Sequence, residues 1–410
     1  MRVTLRGAAM AAVAAAACAY TAFSSPLGAD YPGPTCKGCD FAGPPIDALA
    51  RGHVQAFFDT QPFMGPVTLL LRAPVVALTR AQGGGELLEY RLGCLVCLLV
   101  GAILVAWLLR SVRRTHGQWL LHAGLAVLIL AGPFTQAALR WGHPEELVGA
   151  LLCVCAVVSA SRGQTRLAGI TLGLALATKQ WALLAVIPTL IVCRQDRWKL
   201  LGIATGIAAL LLLPMLSGDP ARFLSQNVNA GIAPSGSSLS GVTPTNIWFA
   251  YARQVGQMVG SGATYSIPTA ISSITHPIAL VAGFGLPLVF WRARPHATVS
   301  DAVAVLAAVF LLRCLLDPLS LSYHHVPFFV ALAASEGLRR RGLPVLTLYS
   351  TAAFWALGHF AAPVGADTLN AWYLLWTLPL LGYLVLRSFR RAAAERDRPT
   401  ASRLEPLVAP

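Results

Sequence analysis

Long apolar runs separated by short basic clusters recur from one end of the 410-residue chain to the other. Such a run is long enough to cross a bilayer as a helix, and the Lys and Arg that flank it stay on the cytoplasmic side. The pattern predicts crossings over about 7–23, 92–109, 119–139, 200–216, 278–291, 299–316, 325–338, 343–361 and 371–386, with a further one opening at Trp141-Gly142-His143-Pro144-Glu145-Glu146. Between 162 and 199 the same rule forbids a single crossing, because Arg162 and Arg166 precede the apolar stretch while Arg194, Arg197 and Lys199 follow it. Both ends are therefore expected in the cytoplasm, and the segment is expected to fold back as a short helical hairpin with its apex near 178–181. The tally is about twelve membrane segments with both termini cytoplasmic. The expected fold class is all-α, a polytopic transmembrane helical bundle.

Two stretches interrupt the pattern. Residues 24–89 read as an exported loop rich in Pro and Gly, carrying Asp30, Asp40, Asp47 and Asp59. Within it, Gln61-Pro62-Phe63-Met64-Gly65-Pro66 and the apolar run that follows read as a turn and an amphipathic helix on the membrane rim. Residues 217–275, rich in Ser, Gly, Thr and Asn, read as a second exterior loop. Loops of that length without a fold of their own are usually functional or disordered. Residues 1–390 are thus expected to form one membrane domain, followed by a disordered cytoplasmic tail over 391–410 that lacks apolar periodicity. The first run, after Arg2 and Arg6, reads either as a cleaved signal peptide with a small-residue site at Leu27-Gly28-Ala29 or as a retained helix. A retained helix gives the even number of crossings that the downstream clusters require.

Composition agrees with the pattern: 56% of residues are hydrophobic, 12% are charged, and the mean hydropathy is +0.64. A soluble core does not account for such a chain. The excess of 31 basic over 17 acidic residues gives a net charge of +14, which in another context suggests nucleic acid. Here the basic residues sit in clusters between apolar runs, with no continuous stripe for a duplex, so no nucleic-acid partner is expected.

Against that background a few polar groups stand out. Lys179 lies near the middle of the hairpin segment, where a lysine costs roughly 2.5 to 3.5 kcal/mol to insert, so it is a functional candidate suited to an anion unless it snorkels to the interface. His143, Glu145 and Glu146 begin the fourth crossing. Pro and two Glu there also satisfy the ordinary demands of a helix N-terminus. Arg313, Asp317, His324 and His325 form a further cluster at an expected exterior end. Arg313 and Asp317, four apart, are placed to pair along one helix face. The adjacent histidines read better as hydrogen-bond donors to an anionic or sugar group than as metal ligands, since no third ligand lies near in sequence. Cys36 and Cys39 fall in the exported loop, where a short disulfide is allowed. The pairs Cys94/Cys97 and Cys153/Cys155 fall inside apolar helices and read as small apolar residues.

The order of these features resembles the GT-C superfold of membrane glycosyltransferases, and most closely glycosyltransferase family 87, which includes polyprenyl-phosphate-mannose-dependent α-1,2-mannosyltransferases of actinobacteria. The similarity lies in Asp40-Phe41, Ile46-Asp47-Ala48-Leu49-Ala50-Arg51-Gly52, Phe57-Phe58 and Gln61-Pro62 to Gly65-Pro66 in the first exterior loop. It continues in Ala168-Gly169 and Leu172-Gly173-Leu174-Ala175 through Lys179, and more loosely in Ser322-Tyr323-His324-His325. Where many members carry Gly-Gln at the start of the fourth helix, this chain has Gly142-His143-Pro144-Glu145-Glu146.

The resemblance implies an inverting transfer of one sugar, mannose, from a polyprenyl phosphate to an acceptor hydroxyl of a lipid-linked or cell-envelope glycan, at the exterior face of a bacterial inner membrane, with neither metal nor cofactor. A single displacement needs a general base and positive groups for the departing phosphate. Asp40 is the expected base, steadied by the Cys36–Cys39 turn. Lys179, Arg313, His324 and His325 are expected to hold the phosphate. Gln61, His143, Glu145 and Trp248 are further substrate-binding candidates, Trp248 as a stacking platform for sugar. The competing expectation, from another class, is a transporter or flippase that moves a phosphorylated lipid past Lys179 without making a bond.

Overall fold

The computed structural model describes residues 5–31, 41–60, 64–110, 119–217, 220, 239–258, 262–339, 343–360 and 364–396. Asp40, Gln61, Cys36 and Cys39 lie outside them. The chain is a helical bundle and a multi-pass membrane protein: six of its described helices or helix pairs are long and apolar enough to cross a bilayer.

α1 (Leu5–Ser24) is followed by a turn at Ala29-Asp30, and α2 (Gly43–Ala50), α3 (Val54–Thr60) and α4 (Pro66–Ala81) come next among the described residues. α5 (Glu86–Arg110) is the first long crossing. The crossing expected over 119–139 is divided into α6 (Trp119–Ala131) and α7 (Pro133–Trp141). Gly132 is extended there (φ −73°, ψ 171°), the conformation a residue before proline prefers, and Pro133 takes the first position of α7.

α8 (Glu145–Ser161) is the axis of the bundle, with every residue from 145 to 160 buried. A tight turn at Arg162-Gly163-Gln164 sends the chain back as α9 (Thr165–Leu176). The helix then breaks at Lys179, whose backbone is extended (φ −154°, ψ 144°), before a 3₁₀ turn (Gln180–Ala185), α10 (Val186–Val192) and α11 (Arg197–Leu212).

Two glycines one turn apart on α9 let α11 approach closely. A Cβ at Gly169 would lie 2.8 Å from Ile203 Cβ, and one at Gly173 would lie 2.7 Å from the Ala204 carbonyl oxygen. This small-xxx-small contact replaces a hydrophobic driving force that lipid does not provide. Residue numbers rise together along both helices at this contact, so α9 and α11 are parallel. The segment between them therefore returns, and the expected hairpin is present, with Lys179 at its apex. Its feet carry Arg162 over the Trp107 ring (5.8 Å) and Arg197 over the Trp291 ring (4.6 Å), which gathers basic residues at one end of the bundle.

The remaining crossings are α12 (Thr269–Ala293), α13 (Val299–Leu316), α14 (Val326–Gly337), α15 (Val345–Phe360) and α16 (Ala366–Arg396). α13 and α14 join α8 in the buried centre, whereas α11, α12 and α16 turn exposed apolar side chains such as Leu210, Val281 and Leu375 outward. Of the expected tail, only residues 391–396 are described. α16 runs on to Arg396, because an Ala-rich, Arg-bearing sequence continues a helix well after the apolar pattern has stopped.

The stretch expected as a second exterior loop also has structure of its own. β1 (Leu239–Val242), β2 (Arg253–Met258) and β3 (Gly262–Pro268) form an antiparallel sheet in the order β1-β3-β2, pairing Leu239 with Pro268 and Arg253 with Ser266. α12 begins directly after it at Thr269, a full two turns before the apolar run that marked it in sequence. The sheet's small core is Val242, Phe249 and Ile267. Asn246 ties the sheet to the bundle by donating to the Pro318 carbonyl (2.8 Å) while accepting from the Trp248 N–H (2.9 Å). Asn370 on α16 donates to the carbonyls of Pro244 and Asn246.

Candidate functional site

The end of the bundle opposite the basic feet collects most of the buried polar groups, and backbone contacts place them. Ala29 and Asp30 donate their N–H groups to the carbonyls of Arg140 (2.9 Å) and Trp141 (2.8 Å), so the chain leaving α1 is pinned along the end of α7. Gly142 then turns with φ +102°, a left-handed conformation that glycine adopts without strain. Gly28 passes so close that a Cβ on it would lie 2.6 Å from Gly142 Cα. The result brings Asp30 beside His143.

His143 is buried between two carboxyl groups. Its Nε2 is 3.0 Å from Asp30 Oδ2 and its Nδ1 is 2.6 Å from Glu145 Oε1, while its ring stacks on Tyr323 with centroids 4.1 Å apart. Glu145 Oε1 is also 3.4 Å from Lys179 Nζ, and Glu146 Oε1 lies 3.8 Å from the same ammonium. Lys179 is 6% exposed and both glutamates are sealed from solvent, so this is an interior ion cluster at the head of α8 and the hairpin apex. Asp30 differs: its side chain is 24% exposed and can meet a ligand.

α4 docks on the apex through Gly65, whose N–H donates to the Thr178 carbonyl (2.9 Å). Behind Asp30, the wholly buried Arg72 lies over the ring of Tyr31 (5.2 Å) and near that of Tyr90 (5.9 Å), and its guanidinium nitrogens have no hydrogen-bond partner. Tyr90 donates its hydroxyl to the Leu139 carbonyl, which fastens α5 to the same corner.

From the other side come α13 and the turn after it. Arg313 lies 5.9 Å from the centroid of Trp181 and pairs at 3.9 Å with Asp317, so the expected intrahelical pair forms at the limit of contact. Its Nη1 is buried without a hydrogen-bond partner. The two histidines part company. Leu321 N–H donates to His324 Nδ1 (3.2 Å), which leaves the proton of a neutral ring on Nε2. His325 Nδ1 faces the Leu321 carbonyl (3.3 Å) and so carries its proton there, while Nε2 accepts from the Tyr373 hydroxyl (2.9 Å). Burial first, and then the neighbouring charges of Arg313, Lys179 and His143, push His324 well below the ordinary histidine range. Burial likewise pushes His325 down to about 4.

The structure thus gathers His143, Glu145, Lys179, Arg313 and His324 at one end of the bundle. His325 is turned to Tyr373 and serves the packing of α14 on α16. Trp248 is half-buried and spends its indole N–H on the Leu316 carbonyl (2.7 Å), closing the sheet over the end of α13. Asp47 is taken up by Arg51 (3.2 Å) and Arg80 (2.5 Å), and Asp59 accepts from Gln55 (3.3 Å), both on the exposed side of α2 and α3. Asp30 is the member that the sequence did not single out. Only its pairing across more than a hundred residues to His143 marks it. Among the described residues, no group of three or more His, Cys, Asp and Glu side chains is arranged to hold a metal ion.

The cluster can do two things chemically. A partly exposed carboxylate backed by an imidazole can take a proton, and a lysine with an arginine and a neutral imidazole donor can receive an anion. No family profile matches the chain, and no curated protein matches it by sequence. Two crystal structures of ArnT from Cupriavidus metallidurans align with it. The form bound to undecaprenyl phosphate does so at 15% identity and a TM-score of 0.47, covering 98% of this chain and 81% of that one. The apo form aligns at 16% identity and a TM-score of 0.47, covering 92% and 76%. At that level the chemistry has to be read from the residues themselves.

Proposed function

We propose that this chain is a GT-C-type glycosyltransferase that moves one sugar, mannose by the sequence resemblance, from a polyprenyl phosphate to a hydroxyl of a lipid-linked or cell-envelope glycan on the outer membrane face, with inversion. The observation that carries the reading is the joint placement of a reachable carboxylate, Asp30, and two cations, Lys179 and Arg313, at one end of the bundle. A flippase would need the cations but not the carboxylate.

In the proposed step the acceptor hydroxyl gives its proton to Asp30 as its oxygen bonds to the anomeric carbon. The bond from that carbon to the phosphate oxygen breaks, and its electron pair leaves on the polyprenyl phosphate. Charge develops on that phosphate, where Lys179, Arg313 and the Nε2–H of His324 would act. Asp40 is the second candidate for the base. It lies two residues before Ala42, whose N–H donates to the Asp30 carbonyl (3.0 Å). Gln61 and the Cys36–Cys39 disulfide remain part of the proposal on sequence grounds.

The test is turnover of radiolabelled polyprenyl-phosphate mannose by purified protein with lipid acceptors. Asp30→Asn should cost about 100-fold to 10,000-fold in turnover per folded molecule with donor binding kept. Asp40→Asn, Asp47→Asn and Asp59→Asn run beside it. Full turnover in Asp30→Asn removes it as the base, and a loss confined to Asp40→Asn moves the role there. Movement of the lipid across vesicles without any product would favour the flippase.

A further inference from the structure

We infer that His143 is the positioning residue for the Asp30 carboxylate, and that Glu145 anchors His143 and joins it to the phosphate-facing Lys179 through one shared oxygen. The inference rests on the transferase reading and deepens it. Three observations carry it. The two ring nitrogens of His143 each face a carboxyl oxygen, at 3.0 Å and 2.6 Å. The ring plane is fixed by stacking on Tyr323. Glu145 Oε1 lies 2.6 Å from Nδ1 of the ring and forms an ion pair with the Lys179 ammonium at 3.4 Å.

Proton accounting gives the arrangement its consequence. Two N···O lines need two protons, and a neutral imidazole supplies one, so a ring that faces a carboxylate at each nitrogen carries both. Asp30 is then held in place through Oδ2, with its other oxygen left for the acceptor's proton. His143 neither gains nor loses a proton in the step. Charged and aromatic groups near the ring include Asp30 from the turn after α1, Glu145 and Glu146 at the head of α8, and Tyr323 and His324 from the turn after α13, with Lys179 reached through Glu145.

The experiment compares His143→Leu and His143→Gln with wild type, using polyprenyl-phosphate mannose as donor. His143→Leu should lower turnover on the order of 10- to 100-fold, as loss of an orienting partner does elsewhere. Donor affinity should stay within about twofold, so the loss falls on kcat rather than on donor binding. His143→Gln should recover part of the turnover, since its amide can still donate to Asp30. Wild-type turnover in His143→Leu, or a His143→Gln variant no better than His143→Leu, overturns the inference and leaves His143 as packing.

A second readout needs no activity. In ¹⁵N-histidine spectra, the resonances missing from His143→Gln should show both ring nitrogens protonated at neutral pH in the wild type. A singly protonated ring there overturns the inference. A doubly protonated ring in a wild type that makes no product sinks the transferase reading and keeps the geometry.

Discussion

Replacing Lys179 by methionine keeps the length of the side chain and removes its charge, which strands two buried carboxylates. The ammonium is 3.4 Å from Glu145 and 3.8 Å from Glu146. At an effective dielectric of about 20, unit charges at those separations attract by roughly 5 and 4 kcal/mol. Desolvation and the mutual repulsion of the glutamates offset much of that, and breaking such a pair from one side typically costs about 3 to 5 kcal/mol. There is also a ceiling. A stranded glutamate can take up a proton, and at pH 7 this costs about 1.4 kcal/mol for each unit above its ordinary value near 4.3, or roughly 4 kcal/mol. Lys179→Met should therefore lose about 3 to 4 kcal/mol at pH 7, and the loss should shrink by about 1.4 kcal/mol per unit as the pH is lowered. Adding Glu146→Gln should return most of it, because Glu146 has no hydrogen-bond partner on either oxygen, whereas Glu145 keeps His143 when Lys179 is gone. The assay is unfolding in mixed detergent micelles from pH 5 to 7.5, with donor binding measured in parallel. In the double variant folding should recover while donor affinity does not, and Lys179→Arg should keep part of that affinity. A Lys179→Met protein as stable as wild type at pH 7 would refute the buried pairing and leave a lysine that snorkels.

Two further outcomes follow from local geometry. A Cβ at Gly65 would fall 2.0 Å from the Ala177 carbonyl oxygen and 2.6 Å from its carbon. Gly65→Ala should thus cost about 1 to 3 kcal/mol and push α4 off the hairpin apex. Gly202→Ala on α11, where a Cβ meets nothing within 4 Å, should cost nothing in the same unfolding assay. His325 is held neutral in the fold, pushed from 6.5 down to about 4 by burial, so the folded state binds fewer protons than the unfolded one between those values. Stability is full above about pH 6.5 and falls as the pH drops toward 4, and the wild-type minus His325→Gln difference curve should show that slope. A flat difference curve would refute it.

Much of the bundle was legible because a bilayer imposes a coarse code. A helix that must cross it needs a long apolar run, and the positive flanks record which ends stay together. The bracketing of 162–199 by arginines and lysines was enough to require a return, and α9, Lys179 and α10 supply it. Where the code is silent, reading failed for identifiable reasons. Pro133 divides a continuous apolar run without changing its hydropathy. The strands 239–242, 253–258 and 262–268 carry too many Gly, Ser and Gln to alternate cleanly. They are tied to the bundle by side chains such as Asn246 and Asn370, which bind the backbone of distant segments.

The site was legible only one residue at a time. An intramembrane lysine advertises itself by its cost, and Glu145 and His143 by standing at the mouth of an apolar helix, but none of them reveals its partner. Asp30 looked like one of four aspartates in a Pro- and Gly-rich loop. Its place is decided by two backbone hydrogen bonds to Arg140 and Trp141 and by the close passage of Gly28 against Gly142, none of which has a periodic signature. The adjacent histidines make the same point in reverse. Neighbours in sequence, they take opposite tautomers from the same residue, Leu321, and that choice sends His324 toward the ion cluster and His325 into the packing of α14 against α16. A pair of histidines reads as one motif, yet the backbone between them divides their work.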